Sequence, residues 1–143
     1  MEQIFENIVT YYLSRNGSTF VVPQYSICDD REGELACPDL VTLDFPTTAV
    51  QVVEVKTAPQ QRLAGLVSNL NAREDRWFEP LRRYLRRKGY PIDNDWSFGC
   101  RVFVRKEAVD YVRRGVTDPT GVTIEALEDV VFPWLWTWPT AGR

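Results

Sequence analysis

The chain has 143 residues, enough for one hydrophobic core and too few for two ordinary domains. Its composition, 44% hydrophobic and 26% charged, excludes a disordered or fibrous chain. It has no histidine, which excludes Ser–His and Cys–His nucleophile pairs, histidine general bases and imidazole zinc sites; the net charge of −3, taken alone, argues against a nucleic-acid partner.

Glu2 to Arg15 places Phe5, Ile8, Val9, Tyr12 and Leu13 at helical spacing. It predicts an amphipathic helix ending at Asn16-Gly17, where a left-handed cap is cheap. Ser18 to Ile27 is rich in β-branched and aromatic residues and is interrupted by Pro23, so it predicts an edge strand or a bulged one. Asp29 to Glu34 predicts a charged turn around Gly33. Pro38 to Phe45 is a second strand, joined through Pro46-Thr47-Thr48 to a third, Ala49 to Thr57. Val50, Val52, Val53 and Val55 make that third strand apolar on both faces, which predicts a central position covered on both sides.

After Pro59 the spacing of Leu63, Leu66, Val67 and Leu70 is helical. A second helical run carries Trp77, Leu81, Tyr84 and Leu85 and stops at Gly89-Tyr90-Pro91. Ser97 to Arg105 reads as a fourth strand and Glu107 to Arg114 as a short helix before Gly115. Thr123 to Val131 reads as a helix with Thr123 as its N-cap and an ordinary acidic face. No repeat or long linker divides the chain, so residues 1–143 are expected to form one α/β domain.

Cys28, Cys37 and Cys100 are odd in number and widely spaced. They suit neither a disulfide framework nor a thiolate zinc site, and fit a reducing compartment. No run approaches about 18 apolar residues, and Met1 is followed by Glu2 instead of a basic segment. Neither a membrane span nor a signal peptide is expected, and the expected location is cytoplasmic.

The chemistry concentrates in Pro38, Asp39, Glu54 and Lys56. Glu54 and Lys56 stand two apart on the valine-rich strand, so they leave the same face as Val50 and Val52. A carboxylate and an ammonium there are costly unless they pair or hold an ion. A hairpin through Pro46 to Thr48 brings Asp39 to the same end of the sheet. Two carboxylates and one amine converging there suit a hard cation, with magnesium or manganese as the natural occupant.

Pro38-Asp39, a spacer, then Glu54-Val55-Lys56 resembles the motif of the PD-(D/E)xK nuclease superfamily, the restriction-endonuclease-like fold. The order helix, three strands, helix, strand over roughly residues 1 to 106 is similar to that family's αβββαβ core, a mixed sheet flanked by helices. The resemblance implies that Asp39 and Glu54 ligate Mg2+ or Mn2+ together with the main-chain carbonyl of Val55, and that Lys56 orients or activates the attacking water. It further implies a glutamate on the first helix, for which Glu6 fits best and Glu2 second. It also implies a glutamine opening the helix after the lysine strand, a place for Gln60 or Gln61. Phosphodiester hydrolysis needs a nucleophilic water, neutralised phosphate charge and a stabilised leaving oxygen, and metal plus lysine provide these without histidine.

Charge distribution alters the inference from the net −3. Residues 1–61 carry net −6, residues 62–106 net +6 and residues 107–143 net −3. Arg73, Arg76, Arg82, Arg83, Arg86, Arg87 and Lys88 fall in the basic middle segment, where acids for ordinary i,i+4 pairs are scarce. Arginines flanking the strands that carry the motif would track a phosphate backbone. Trp134, Trp136 and Trp138 share one face of a strand-like tail, suited to closing over a core, stacking on bases or meeting a partner. The sequence therefore predicts a magnesium-dependent endonuclease, DNA favoured over RNA, with a homodimer possible. The rival from another class is a noncatalytic nucleic-acid-binding or assembly domain on the same fold.

Overall fold

The computed structural model of the chain describes residues 2–29 and 33–131. Helix α1 spans Glu2–Ser14 and buries Glu6, Val9 and Leu13. It stops where the sequence places the cap: Gly17 adopts φ +74°, and Asn16 Oδ1 accepts hydrogen bonds from the Ser18 and Thr19 N–H groups. Strands β1 (Thr19–Pro23), β4 (Leu40–Asp44) and β5 (Ala49–Lys56) form an antiparallel meander. Strand β6 (Ser97–Val104) lies parallel to β5, and β7 (Val122–Ala126) parallel to β6. The mixed sheet has the order β1-β4-β5-β6-β7, which puts β5 in the centre as its apolar faces require.

Two apolar layers cover the sheet. Val41, Leu43, Val50, Val52, Cys100, Val102 and Val104 pack against the side chains of α2 (Ala64–Asn71), α3 (Glu79–Arg87) and α4 (Val109–Gly115). Leu40, Val53, Val55 and Phe103 pack against Val9 and Leu13 of α1 and Leu127 and Val130 of α5 (Leu127–Val131). The molecule is thus an α/β fold with a five-stranded mixed sheet flanked by helices. Among the described residues no helix is long and apolar enough to cross a membrane.

The elements differ from the sequence expectation at three places. The expected strand Ser18 to Ile27 breaks after Pro23, because Gln24 turns into the left-handed region at φ +50°. The chain then forms a separate two-stranded ribbon, β2 (Ile27–Asp29) with β3 (Gly33–Ala36), where only a charged turn was expected. The expected helix Thr123 to Val131 is a strand followed by a helix. Thr123 pairs with Arg101 in β7 and caps nothing, and the helix begins only at Leu127. The cause is period two: Val122, Ile124 and Ala126 alternate with Thr123 and Glu125, and Glu125 meets Arg101 of β6 in a two-point ion pair. Between α2 and α3, Glu74–Phe78 widens into a π turn ahead of Pro80, whose missing N–H and bulky ring disturb the regular helical ladder. Trp134, Trp136 and Trp138 lie outside the described residues.

Candidate active site

The β4–β5 hairpin assembles the site. Its turn closes with the Thr48 N–H donating to the Phe45 carbonyl at 3.2 Å, and it sets the register Leu40↔Val53. Carried two residues outward, that register puts Pro38 opposite Val55 and brings Asp39 to the end of β5. The Val55 N–H donates to Asp39 Oδ2 at 2.8 Å, so Asp39 receives the donor that a continuing strand would have used. A residue's N–H and C=O point to the same edge of a strand, so the Val55 carbonyl faces the same gap. Pro38 has no N–H to offer that carbonyl. The Pro-Asp pair therefore ends β4 in a way that leaves a carbonyl and a carboxylate facing one gap.

Glu54 and Lys56 leave the same face of β5 as Val50 and Val52, at the end of the strand. Lys56 Nζ lies 3.3 Å from Glu54 Oε2 and 3.5 Å from Asp39 Oδ2. All three expected residues thus meet, with the ammonium between the two carboxylates. Glu54 is 8% exposed. Burial, and next the Asp39 carboxylate, push its carboxyl up to about 7, against the opposing pull of Lys56 and of a hydrogen bond from the Asp39 main chain. Burial works to lower Lys56, but Glu54 and Asp39 outweigh it and hold the amine above its ordinary value. Both shifts favour the protonated state, through burial first for Glu54 and through the two neighbouring acids for Lys56.

Glu6 reaches the same neighbourhood from α1. Its carboxyl is pushed up by burial first, then by Asp39 and Glu2, while Gln24 and Lys56 pull it down. Its partner is Gln24, whose Nε2 donates to Glu6 Oε2 at 2.9 Å. Glu2 is turned to the residue after β5: Thr57 N and Oγ1 each lie 3.5 Å from Glu2 Oε1. Gln60 and Gln61 are exposed in the short 3-10 turn Gln60–Arg62. Cys37, just before Pro38, is exposed, and partial desolvation together with the acids Glu34, Asp39 and Glu54 raises its thiol above the ordinary value.

Among the described residues no group of three or more Cys, Asp or Glu side chains is gathered closely enough to hold a metal ion by itself. Glu6 therefore does not form one direct ligand set with Asp39 and Glu54 as the sequence predicts. What remains is two carboxylates with the Lys56 ammonium between them, and the edge-facing Val55 carbonyl beside Asp39, all three acceptors being hard oxygen donors. That donor set fits Mg2+ or Mn2+. Magnesium keeps several waters and takes only one or two protein carboxylates in many sites.

The basic segment divides by environment. Arg73 is built into the fold: it donates to the carbonyls of Leu70, Asp118 and Thr120 at 2.8–3.1 Å. Arg82 lies 3.1 Å from both Glu74 and Glu79 and over the Phe98 ring, and Glu79 also meets Arg83 at 3.6 Å. One of the few acids in this segment, Glu79, thus serves two arginines. Arg87 donates to the Cys28 carbonyl and Arg86 to Asn94, and Lys88 sits over Tyr84. Arg76 and Arg83 are exposed beside a groove of about 540 Å³ also lined by Leu35, Ser68, Asn69 and Asp75.

No family model matches the chain, and no curated protein matches its sequence.

Proposed function

We propose that this chain is a magnesium-dependent endonuclease of the PD-(D/E)xK type, with a restriction-endonuclease-like core and nucleic acid, DNA before RNA, as substrate. The observation that carries the reading is the meeting of Asp39, Glu54 and Lys56 at the end of the central strand, with Lys56 Nζ within 3.5 Å of both acids. The order α1, antiparallel β1-β4-β5, helices, then parallel β6 supports the fold assignment. Asp39, Glu54 and the Val55 carbonyl hold the cation. When bound, the cation supplies Lewis-acid neutralisation of the phosphate charge.

Lys56 stays an ammonium at neutral pH, so it acts as a donor that orients the attacking water and not as a base. Glu6, with its carboxyl raised, is the acceptor for the water's proton. Arg76 in the π turn, and with it Arg83, Arg86, Arg87 and Lys88 on and just after α3, contact phosphates, whereas Arg73 and Arg82 serve the fold. A noncatalytic nucleic-acid-binding domain on the same fold is the second reading, and the absence of a three-acid cluster among the described residues favours it.

The test is incubation with duplex, single-stranded and branched DNA and with RNA, in Mg2+, Mn2+ or EDTA. Metal-dependent cleavage that disappears in the E54A/K56A double variant supports the reading. Cleavage that survives in that variant, or no cleavage of any substrate with either metal, overturns it.

A further inference from the structure

Gln24 is an exposed, non-glycine residue with φ +50°, a conformation that costs about 1 kcal/mol for an L side chain. Glycine or asparagine would occupy that turn more cheaply. The strained residue makes two directed contacts, and both go to the candidate site. Its N–H donates to the Asp39 carbonyl at 2.8 Å, extending the β1–β4 ladder one residue past Pro23↔Leu40. Its side-chain Nε2 donates to Glu6 Oε2 at 2.9 Å. One residue therefore fixes the backbone of the first site carboxylate and the side chain of the helix-borne one. A turn needed only to end β1 would require the first contact and not the second.

We infer that Gln24 is a positioning residue of the site, holding the Glu6 carboxyl beside Asp39 as an outer acid that lies outside the direct ligand set of Asp39, Glu54 and the Val55 carbonyl. The inference rests on the reading of Asp39 and Glu54 as cation ligands. The amide suits the role because it donates without adding charge. A lysine there would neutralise Glu6, and a second carboxylate would repel it. Residues that orient metal-site carboxylates typically alter metal affinity by 10- to 100-fold when removed.

The experiment compares Q24G and Q24N with wild type, since both substitutions accept the left-handed backbone and lose the reach to Glu6. Mn2+ affinity is measured by electron paramagnetic resonance, and the melting temperature is measured in EDTA. Cleavage is followed as kcat and KM separately. The expected result is Mn2+ affinity weakened about tenfold, kcat lowered with KM for nucleic acid unchanged, and a melting temperature equal to or above wild type. Wild-type Mn2+ affinity and kcat in both variants would overturn the inference and leave the metal-site reading standing. A melting temperature that falls together with metal affinity would assign Gln24 a structural role and overturn it too. Failure of the wild type to bind Mn2+ would overturn both readings at once.

Discussion

The cluster at the end of β5 and the arginine run along α3 are both dense in charge, but they settle it differently. From Arg73 to Lys88 the cations find partners: Glu79 serves Arg82 and Arg83, main-chain carbonyls take up Arg73 and Arg87, and rings lie under Arg82 and Lys88. Around Lys56 the acids outnumber the cation, Glu54 is nearly buried, and both Glu54 and Glu6 hold their protons more tightly than free carboxyls do. Charge that is balanced locally maintains structure. Charge left unbalanced in a low-dielectric place costs stability, and such imbalance gathers where an ion or substrate completes the set.

The widest separation between the two regions is expected in catalysis. Replacing Glu54 or Lys56 by alanine should lower the cleavage rate by about 10³-fold, the loss expected when a charge-stabilising group is removed. Arg83→Ala should leave kcat within about threefold, because its proposed role is to contact phosphate away from the reacting atoms. Initial rates at saturating substrate check both. Next in size is a reversal of that order for stability. Arg73→Ala removes a guanidinium bound to three carbonyls and should cost about 2–3 kcal/mol in urea unfolding, more than Arg83→Ala on the surface.

The burial of Glu54 beside Asp39 also predicts a pH dependence. The folded-state pKa of Glu54 is raised to about 7, above its ordinary value, so its contribution to stability is fully present at low pH and is lost as pH rises through 7. In EDTA the wild type should lose on the order of 2 kcal/mol relative to E54Q between about pH 4.5 and pH 8. Mg2+ should restore most of that difference for the wild type only, which urea titrations at the two pH values would check. The smallest effect is expected on the arginine side. Arg76→Ala and Arg83→Ala should each weaken nucleic-acid binding uniformly across sequences and reduce the slope of log affinity against log salt by about one.

The site's principal residues were legible because they violate the local pattern. Glu54 and Lys56 interrupt a valine strand whose two-faced apolarity already assigned it to the centre of a sheet. The Pro46 to Thr48 turn then determined which end of that sheet Asp39 would occupy. Gln24 was not legible, since its role depends on a positive φ that no residue type at that position announces. The β2–β3 ribbon and β7 were misjudged for a related reason: short segments with mixed periods are decided by what they pair with, as Glu125 is by Arg101. The pairing within the arginine run was not legible, because sequence spacing does not show that Glu74, eight residues away, folds back onto Arg82 across a π turn.

Asp39, Glu54 and Lys56 are proposed to enclose negative charge that a divalent cation completes. Carbon-13 NMR of the Glu54 carboxyl, titrated with and without Mg2+ and assigned with E54Q, tests this most directly. The expected result is a midpoint near 7 in EDTA that falls when Mg2+ is added. An ordinary carboxylate midpoint that Mg2+ leaves unmoved would contradict the account.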